Sequence, residues 1–129
     1  MNDCIFCKII DRTIPGYIAT EDDHVIIFVS LEGHPLIVPK KHIQDIFSLD
    51  EETGAQIMKS STALSHAAKK ALGCDGIQIS QRNGTAAGQD VFHYHLHVYP
   101  RWNDGRTLGT NNEARKETAE KISNMLKKK

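Results

Sequence analysis

The sequence is poor in the features that mark secreted, membrane-bound and nucleic-acid-binding proteins. Its 129 residues contain three cysteines, which cannot form a complete set of disulfides and fit a reducing cytoplasm. No apolar run approaches the ~20 residues of a membrane-spanning helix, and the N-terminus lacks a secretory pattern. Lysine plus arginine and aspartate plus glutamate number 16 each, so no net basic charge favours bulk nucleic acid or an anionic membrane. Small phosphorylated ligands need only local donors and remain candidates.

The length and the pattern of apolar residues predict one α+β domain over residues 1–129. A capping box of Ser48 and Glu51 begins the clearest helix, and Gly73 ends it. The order of elements predicts an antiparallel sheet with this long helix packed on one face, and a C-terminal helix over 112–127. The predicted strands are 17–20, 24–30, 35–39, 76–81 and 91–99.

The stretch FHYHLHVYPR, residues 92–101, places a histidine at every second position: His93, His95 and His97. Alternate residues of a strand share a face, so the three rings are expected together on the open face of the sheet. The opposite face would carry the core residues Phe92, Tyr94, Leu96 and Val98.

The histidine row has three possible interpretations: a metal site, a solvated strand face and a catalytic row. The first and third rings would be ~14 Å apart on a regular strand. That is too far for both to reach one metal ion with bonds of about 2 Å. A solvated strand face that tolerates histidine is the plain alternative. A catalytic row is favoured, because an imidazole with a pKa of about 6.5 is partly neutral near pH 7 and can attack phosphorus.

Several stretches together resemble the histidine-triad (HIT) family of nucleotide hydrolases and transferases. HYHLHVY resembles the family's alternating histidine signature, and CIFCKIIDRTIPGYIATEDDHVIIF resembles its N-terminal hairpin region. GHPLIVPKKHI resembles the strand-turn element, and NGTAAGQDVFHYHLHVYPR resembles the loop and triad strand. The resemblance covers most of residues 4–101 and implies a HIT-like fold that binds a purine nucleotide or a nucleotide conjugate.

The resemblance also implies roles for individual residues. His95 would be the nucleophile that forms a covalent nucleotidyl-imidazole, which water then hydrolyses. His97 would contact the phosphate or assist the leaving group, and His34 matches the family's fourth active-site histidine. The implied substrate-binding set is Asn83, Gly88, Gln89, Asp90 and His97, with the glycine-containing loop 84–89 against the α-phosphate.

The pair Cys4 and Cys7 has the C-x2-C spacing of zinc ligands, which alone is moderate evidence. The resemblance to zinc-bearing members of the family implies that His42 and His93 complete one structural zinc site per chain. The alternative is that both cysteines are small buried residues. The resemblance further implies a homodimer formed through the long helix and a strand edge.

Three features depart from the family pattern. The segment 29–33, VSLEG, is shorter than the loop that usually contacts the ribose. Asp90 occupies a position where the phosphoramidase branch commonly has serine, and Arg82 one where an amide is usual. These changes leave the three histidines untouched, and the resemblance at His95, His97, His34 and the loop 84–89 implies a hydrolase of purine nucleoside phosphoramidates or related nucleotide conjugates that acts at the α-phosphate. The alternatives are a dinucleoside polyphosphate hydrolase and a nucleotide- or partner-binding module with vestigial activity.

Overall fold

The computed structural model describes residues 3–127 and contains one five-stranded antiparallel sheet with strand order β1-β2-β3-β5-β4. The predicted α+β architecture is confirmed: the long helix α2 and the C-terminal helix α3 pack together on one side of the sheet. In chain order the elements are α1 (Ile5–Ile10), β1 (Tyr17–Glu21), β2 (Val25–Val29), β3 (Pro35–Pro39), α2 (Glu51–Leu72), β4 (Gly76–Ser80), β5 (Leu96–Arg101) and α3 (Asn112–Lys127).

Two apolar clusters hold the layers together, one on each face of the sheet. The larger lies under α2 and α3 and includes Ile37, Leu64, Leu96, Val98 and Ile122. The smaller lies under α1 and consists of Phe6, Ile9, Ile26, Phe28, Leu36 and Val38. No helix within residues 3–127 is both long and apolar enough to cross a membrane.

Helix α1 is an element that the sequence did not predict. It has six residues, and the Sγ atom of its N-cap residue Cys4 accepts the backbone N–H of Cys7 at 3.3 Å. A helix of this length is not stable by itself, so packing must hold it in place. Phe6 provides that packing, because its ring lies edge-on to Phe28 with centroids 5.4 Å apart.

The predicted start of α2 was wrong by two residues, whereas the predicted stop is confirmed. Asp50 is the N-cap: its side chain accepts the backbone N–H of Thr53 at 3.0 Å. Ser48 instead ends a short 3-10 turn that begins at Ile46. Gly73 ends the helix with φ +67°, the left-handed conformation that glycine adopts most easily.

The last strand begins later than predicted. β5 starts at Leu96 rather than at residue 91, and Phe92, expected in the core, is 41% exposed. Strand β3 ends at Pro39, which has no N–H to continue the ladder. The N–H of Tyr94 donates instead to the carbonyl of Ile43 at 2.6 Å. The expected burial of Tyr94, Leu96 and Val98 is confirmed.

Candidate functional site

The three histidines lie on the α1 side of the sheet, and α1 covers two of them. The Phe6 ring is edge-on to the rings of His93 and His95, with centroid distances of 6.0 and 4.9 Å. His93 is fully buried and His95 is 6% exposed, so the expectation of an open histidine face was wrong for these two. The ring of His97, the third member, is partly exposed and lies 4.9 Å from that of His95.

The contacts of His95 define which of its nitrogens is available. Its Nδ1 lies 2.7 Å from the carbonyl oxygen of His93, which can only accept, so Nδ1 carries the proton. In the neutral ring Nε2 therefore holds the lone pair. Within the described chain Nε2 makes no hydrogen bond, yet it is not sealed from solvent. Burial lowers the pKa of His95, which favours this neutral form.

His97 and His34 form a neutral pair. Nδ1 of His97 lies 2.8 Å from Nε2 of His34, and Nδ1 of His34 lies 3.2 Å from Oγ of Ser30. Burial lowers the pKa of His34 to about 3 and that of His97 to about 4. When Ser30 Oγ–H donates to His34, the His34 Nε2–H donates to His97, which then keeps its own proton on Nε2. That proton can be donated to an oxygen or nitrogen of a bound ligand.

The side chain of Gln89 is buried and holds the loop 84–89 together. Its Oε1 accepts the N–H of Gly84 at 2.7 Å. Its Nε2 donates to the carbonyls of Gln44 and Val91 at 2.8 and 3.1 Å. Both the oxygen and the nitrogen of the amide are therefore hydrogen-bonded within the protein, and these bonds hold the conformation of the loop.

The backbone of the loop leaves the N–H groups of Thr85 and Ala86 without a partner among residues 3–127, and two further free donors follow the end of the loop. The N–H groups of Ala87, Gly88 and Gln89 bond to carbonyls of the loop itself. Those of Asp90 and Val91 make no hydrogen bond to any residue from 3 to 127. These two N–H groups immediately precede the histidines, and backbone donors of this kind bind phosphate oxygens without needing a charged side chain.

The remaining predicted site residues surround this loop. Asn83 is engaged like Gln89, because its Oδ1 accepts the N–H of Ile46 at 2.7 Å. Gly88 has φ +90°, and a Cβ there would lie 3.2 Å from the Cδ of Arg82, so the arginine stem packs over the glycine. Asp90 is exposed at the loop's end.

Cys4, Cys7, His42 and His93 form a compact cluster whose four potential ligand atoms lie within 4.8 Å of one another. Nδ1 of His93 is 3.3 Å from the sulfur of Cys4 and 3.6 Å from that of Cys7. Nδ1 of His42 is 3.3 Å from the sulfur of Cys7. Tetrahedral zinc with its usual bond lengths separates sulfur and nitrogen ligands by about 3.5 Å, so the residues fit a metal ion.

The protonation of the cluster supports the same conclusion. Nε2 of His93 donates to the carbonyl of Pro39 at 2.7 Å, so Nδ1 is left unprotonated toward the sulfurs. Burial, with the neighbouring thiol of Cys4, raises the pKa of Cys7 to about 11. A thiolate here therefore needs a cation beside it.

A family model described as the HIT domain matches residues 11–104 of the chain. The protein belongs to the HIT family. An uncharacterized HIT-like protein of Borreliella burgdorferi is 40% identical over 112 residues, with 81% of each chain covered. A zinc-bound histidine-triad family protein of Mycobacterium smegmatis superposes with a TM-score of 0.87 at 31% identity, covering 96% of this chain and 93% of the other.

Two HIT relatives have enzymatic names. Adenosine 5'-monophosphoramidase of Schizosaccharomyces pombe is 34% identical, with 82% of this chain and 80% of the relative covered. Adenylylsulfatase of Arabidopsis thaliana is 36% identical, with 78% of this chain and 53% of the relative covered.

Sequence reasoning missed three contacts of the HIT site. The contact of Ser30 with His34 and that of Phe6 with His95 could not be predicted, because they depend on how the strands and α1 pack. Tyr99 could have been found by extending the alternation of His95 and His97 by one step. Its ring lies 4.1 Å from that of His34.

Proposed function

We propose that this HIT protein hydrolyses purine nucleotide conjugates, nucleoside phosphoramidates among them, at the α-phosphate through a nucleotidyl intermediate on His95. The observation that carries the proposal is the Nε2 lone pair of His95, which is oriented by the carbonyl of His93 and is neither hydrogen-bonded within the described residues nor fully sealed from solvent. The relatives named as a phosphoramidase and an adenylylsulfatase support adenine nucleotide conjugates as the substrate class.

The reaction would proceed in two displacements. Nε2 of His95 attacks phosphorus while the bond to the leaving group breaks, with the leaving atom hydrogen-bonded to Nε2–H of His97. An oxygen leaving group departs as an anion, whereas a phosphoramidate nitrogen takes a proton from solvent and departs as the amine. The resulting imidazolium is stabilised by the carbonyl of His93, and the N–H groups of Asp90 and Val91 hold the phosphate oxygens. Water then attacks phosphorus, His95 departs as the neutral ring, and the nucleoside monophosphate is released.

The decisive experiment is mass spectrometry of the protein after incubation with adenosine phosphoramidate and other nucleotide conjugates. We expect a nucleotidyl adduct on His95 and a loss of at least about 10³-fold in kcat for His95→Ala with an unchanged fold. His66→Ala is the matched control, because His66 is exposed on α2. Substantial turnover by His95→Ala would exclude the mechanism.

A different class of function, nucleotide or partner binding with vestigial chemistry, is favoured by one observation. The carboxylate of Asp90 lies on the residue whose N–H is a proposed phosphate donor, where it opposes an anionic ligand. Protein that binds AMP but turns over no conjugate would support this binding function.

Cleavage of dinucleoside polyphosphates is the second enzymatic alternative, and it would use the same residues. Comparing the rates of hydrolysis of diadenosine polyphosphates and adenosine phosphoramidate separates the two hydrolase activities.

We also propose that the cluster of Cys4, Cys7, His42 and His93 holds one structural zinc per chain. Four protein ligands leave no open position for a substrate, so the metal would tie α1 to the triad segment. The need for two thiolates favours a reducing compartment, in agreement with the cytoplasmic location expected from the sequence.

We propose that residues 1–129 form one domain and that two chains associate as a homodimer. The interface would be the exposed surface beside β4, which is an edge strand of the sheet. Ile79 on β4 is 47% exposed and Met58 on α2 is 60% exposed. Pairing two β4 edges would cover both the unpaired backbone and these side chains. Light scattering should give twice the monomer mass, and Ile79→Lys should shift it to the monomer.

A further inference from the structure

The turn between β2 and β3 fixes Ser30 opposite His34. The N–H of Ser30 donates to the carbonyl of His34 at 2.8 Å, and the N–H of Gly33 donates to the carbonyl of Ser30 at 3.0 Å. Gly33 has φ +99°, and a Cβ there would lie 2.6 Å from the carbonyl oxygen of Gly109, so only glycine fits. The turn is therefore held both within itself and against the segment that precedes α3.

The hydroxyl of Ser30 has a defined hydrogen-bonding direction. The backbone nitrogen of Glu32 lies 3.3 Å from Oγ of Ser30, and an N–H can only donate, so Oγ accepts there. The hydroxyl proton is then left for Nδ1 of His34, at 3.2 Å. The His34 ring cannot turn over freely, because it is buried and its centroid lies 4.1 Å from that of Tyr99. His34 therefore carries its own proton on Nε2, toward His97.

A carboxylate beside the same nitrogen would reverse this arrangement. The carboxylate of Glu32 lies 3.9 Å from Nδ1 of His34, and when ionised it can only accept. With Glu32 as its partner, His34 would carry the proton on Nδ1, and its Nε2 would accept the Nδ1–H of His97. Nε2 of His97 would then be a lone pair without a proton to donate. The hydroxyl of Ser30 therefore decides whether His97 is a donor toward a ligand.

Arg115 on α3 anchors the start of this turn. Its Nε donates to the carbonyl of Ser30 at 2.9 Å, and its Nη2 donates to the carbonyl of Val29 at 3.4 Å. Its Nη1 donates to Oδ1 of Asn112 at 3.3 Å, and its Cζ lies 4.9 Å from the ring centroid of Tyr17. Within residues 3–127 Arg115 forms no ion pair with a carboxylate. Two of the three guanidinium nitrogens are thus committed to holding the end of β2.

We propose that Ser30 and Arg115 are positioning residues that select the tautomer of His97. Ser30 acts through the ring of His34, and Arg115 acts through the backbone of Ser30. The proposal deepens the proposed function, on which its kinetic consequence rests, because it explains how His97 keeps an Nε2–H toward the leaving atom. The tautomer itself can be observed without any substrate.

The first measurement is the nitrogen NMR chemical shifts of the histidine rings in the full chain without substrate. A ring nitrogen that carries a proton differs widely in shift from one that does not, so the two tautomers are distinguished. We expect the proton of His97 on Nε2. Ser30→Ala should move it to Nδ1, because Glu32 then replaces the hydroxyl as the partner of His34, and Ser30→Thr should keep the wild-type shifts. An unchanged tautomer in Ser30→Ala would overturn the proposal.

The same spectra test the part of Arg115. Arg115→Gln should give shifts between those of the two tautomers, since the turn then keeps Ser30 in reach of His34 for only part of the time. Arg115→Lys keeps the charge but has a single donor nitrogen, so it should recover only part of the wild-type signal. Lys116→Gln is the matched control, because Lys116 is exposed on the same helix. Wild-type shifts in Arg115→Gln would exclude Arg115 from the selection, even if its urea midpoint fell.

The second measurement compares two leaving groups on the same nucleotide, in adenosine phosphoramidate and in the para-nitrophenyl ester of AMP. When the P–N bond breaks, its electron pair stays on nitrogen and meets the Nε2–H of His97, and a proton from solvent completes the amine. Nitrophenolate is a stable anion and depends little on such a donor. Ser30→Ala should therefore lower kcat by about 10- to 100-fold for the phosphoramidate and by less than about threefold for the ester.

This difference between substrates separates positioning of His97 from general damage to the site. A variant that merely displaced His95 would slow both substrates alike, so equal losses would overturn the kinetic role of Ser30. Failure of both substrates to form a nucleotidyl adduct on His95 would overturn the proposed function. In that case the shifts of His97 without substrate still decide whether Ser30 and Arg115 set its tautomer.

Discussion

The carbonyl oxygen of His93 accepts the Nδ1–H of His95 at 2.7 Å, while the ring of the same His93 faces the sulfurs of the cluster of Cys4, Cys7 and His42. One residue therefore joins that cluster to the proposed nucleophile. Phe6 makes a second connection, because it lies between Cys4 and Cys7 in the chain and packs against the ring of His95. The cluster is thus placed to fix both the tautomer and the position of His95.

Removing one metal-coordinating side chain tests the connection between the cluster and His95. We expect Cys7→Ser to reduce bound zinc from about one per chain and to weaken its affinity by at least about tenfold. Turnover should fall with it, because α1 and the carbonyl of His93 lose their anchor. Metal analysis and kcat on the same samples provide the measurement. Cys74→Ser is the control, since Cys74 is a buried cysteine outside the cluster.

A second prediction concerns acid stability and the buried ring of His34. An unfolded histidine takes up a proton below pH 6.5, whereas burial lowers the folded pKa of His34 to about 3. The unfolded state binds more protons in that window, so the free energy of unfolding falls as pH decreases from 6.5 toward 3. The slope from this one residue is about 1.4 kcal/mol per pH unit.

Urea denaturation at a series of pH values from 7 to 4 measures this slope. His34→Asn should reduce the slope of the unfolding free energy against pH by about 1.4 kcal/mol per pH unit, because asparagine does not titrate. The metal ligands are unchanged in that variant, so their acid sensitivity is common to both proteins. Identical slopes for the two proteins would contradict the assignment.

The fold class and the family could be predicted because their signals are long and periodic. The histidine alternation locates the triad segment, of which only His97 lies in β5, and the apolar period before Gly73 locates the long helix. Helix α1 could not be predicted, since six residues form a helix only when Phe6 packs under the sheet. The exposure of Phe92 could not be predicted either, because it follows from the end of β3 at Pro39.

The N-cap of α2 can be identified by substituting Asp50 and Ser48 separately. Hydrogen bonds from the N–H and hydroxyl of Thr53 hold the pKa of Asp50 at about 2. Asp50→Ala should lower the midpoint of urea unfolding, since it leaves an N–H of the first turn without a partner. Ser48→Ala should leave the midpoint almost unchanged, because Ser48 precedes the cap. The reverse order of effects would restore Ser48 as the cap.

The last prediction separates two roles for Gln89, contact with phosphate and support of the loop. Its side chain satisfies the N–H of Gly84 and the carbonyls of Gln44 and Val91 from a buried position. Gln89→Ala should therefore lower the free energy of unfolding by about 1–3 kcal/mol as well as weaken nucleotide binding. Gln56→Ala on α2 serves as the control. If Gln89→Ala binds AMP more weakly but its free energy of unfolding is unchanged, the amide acts on the ligand. If the free energy of unfolding falls in the absence of substrate, the amide acts by supporting the loop.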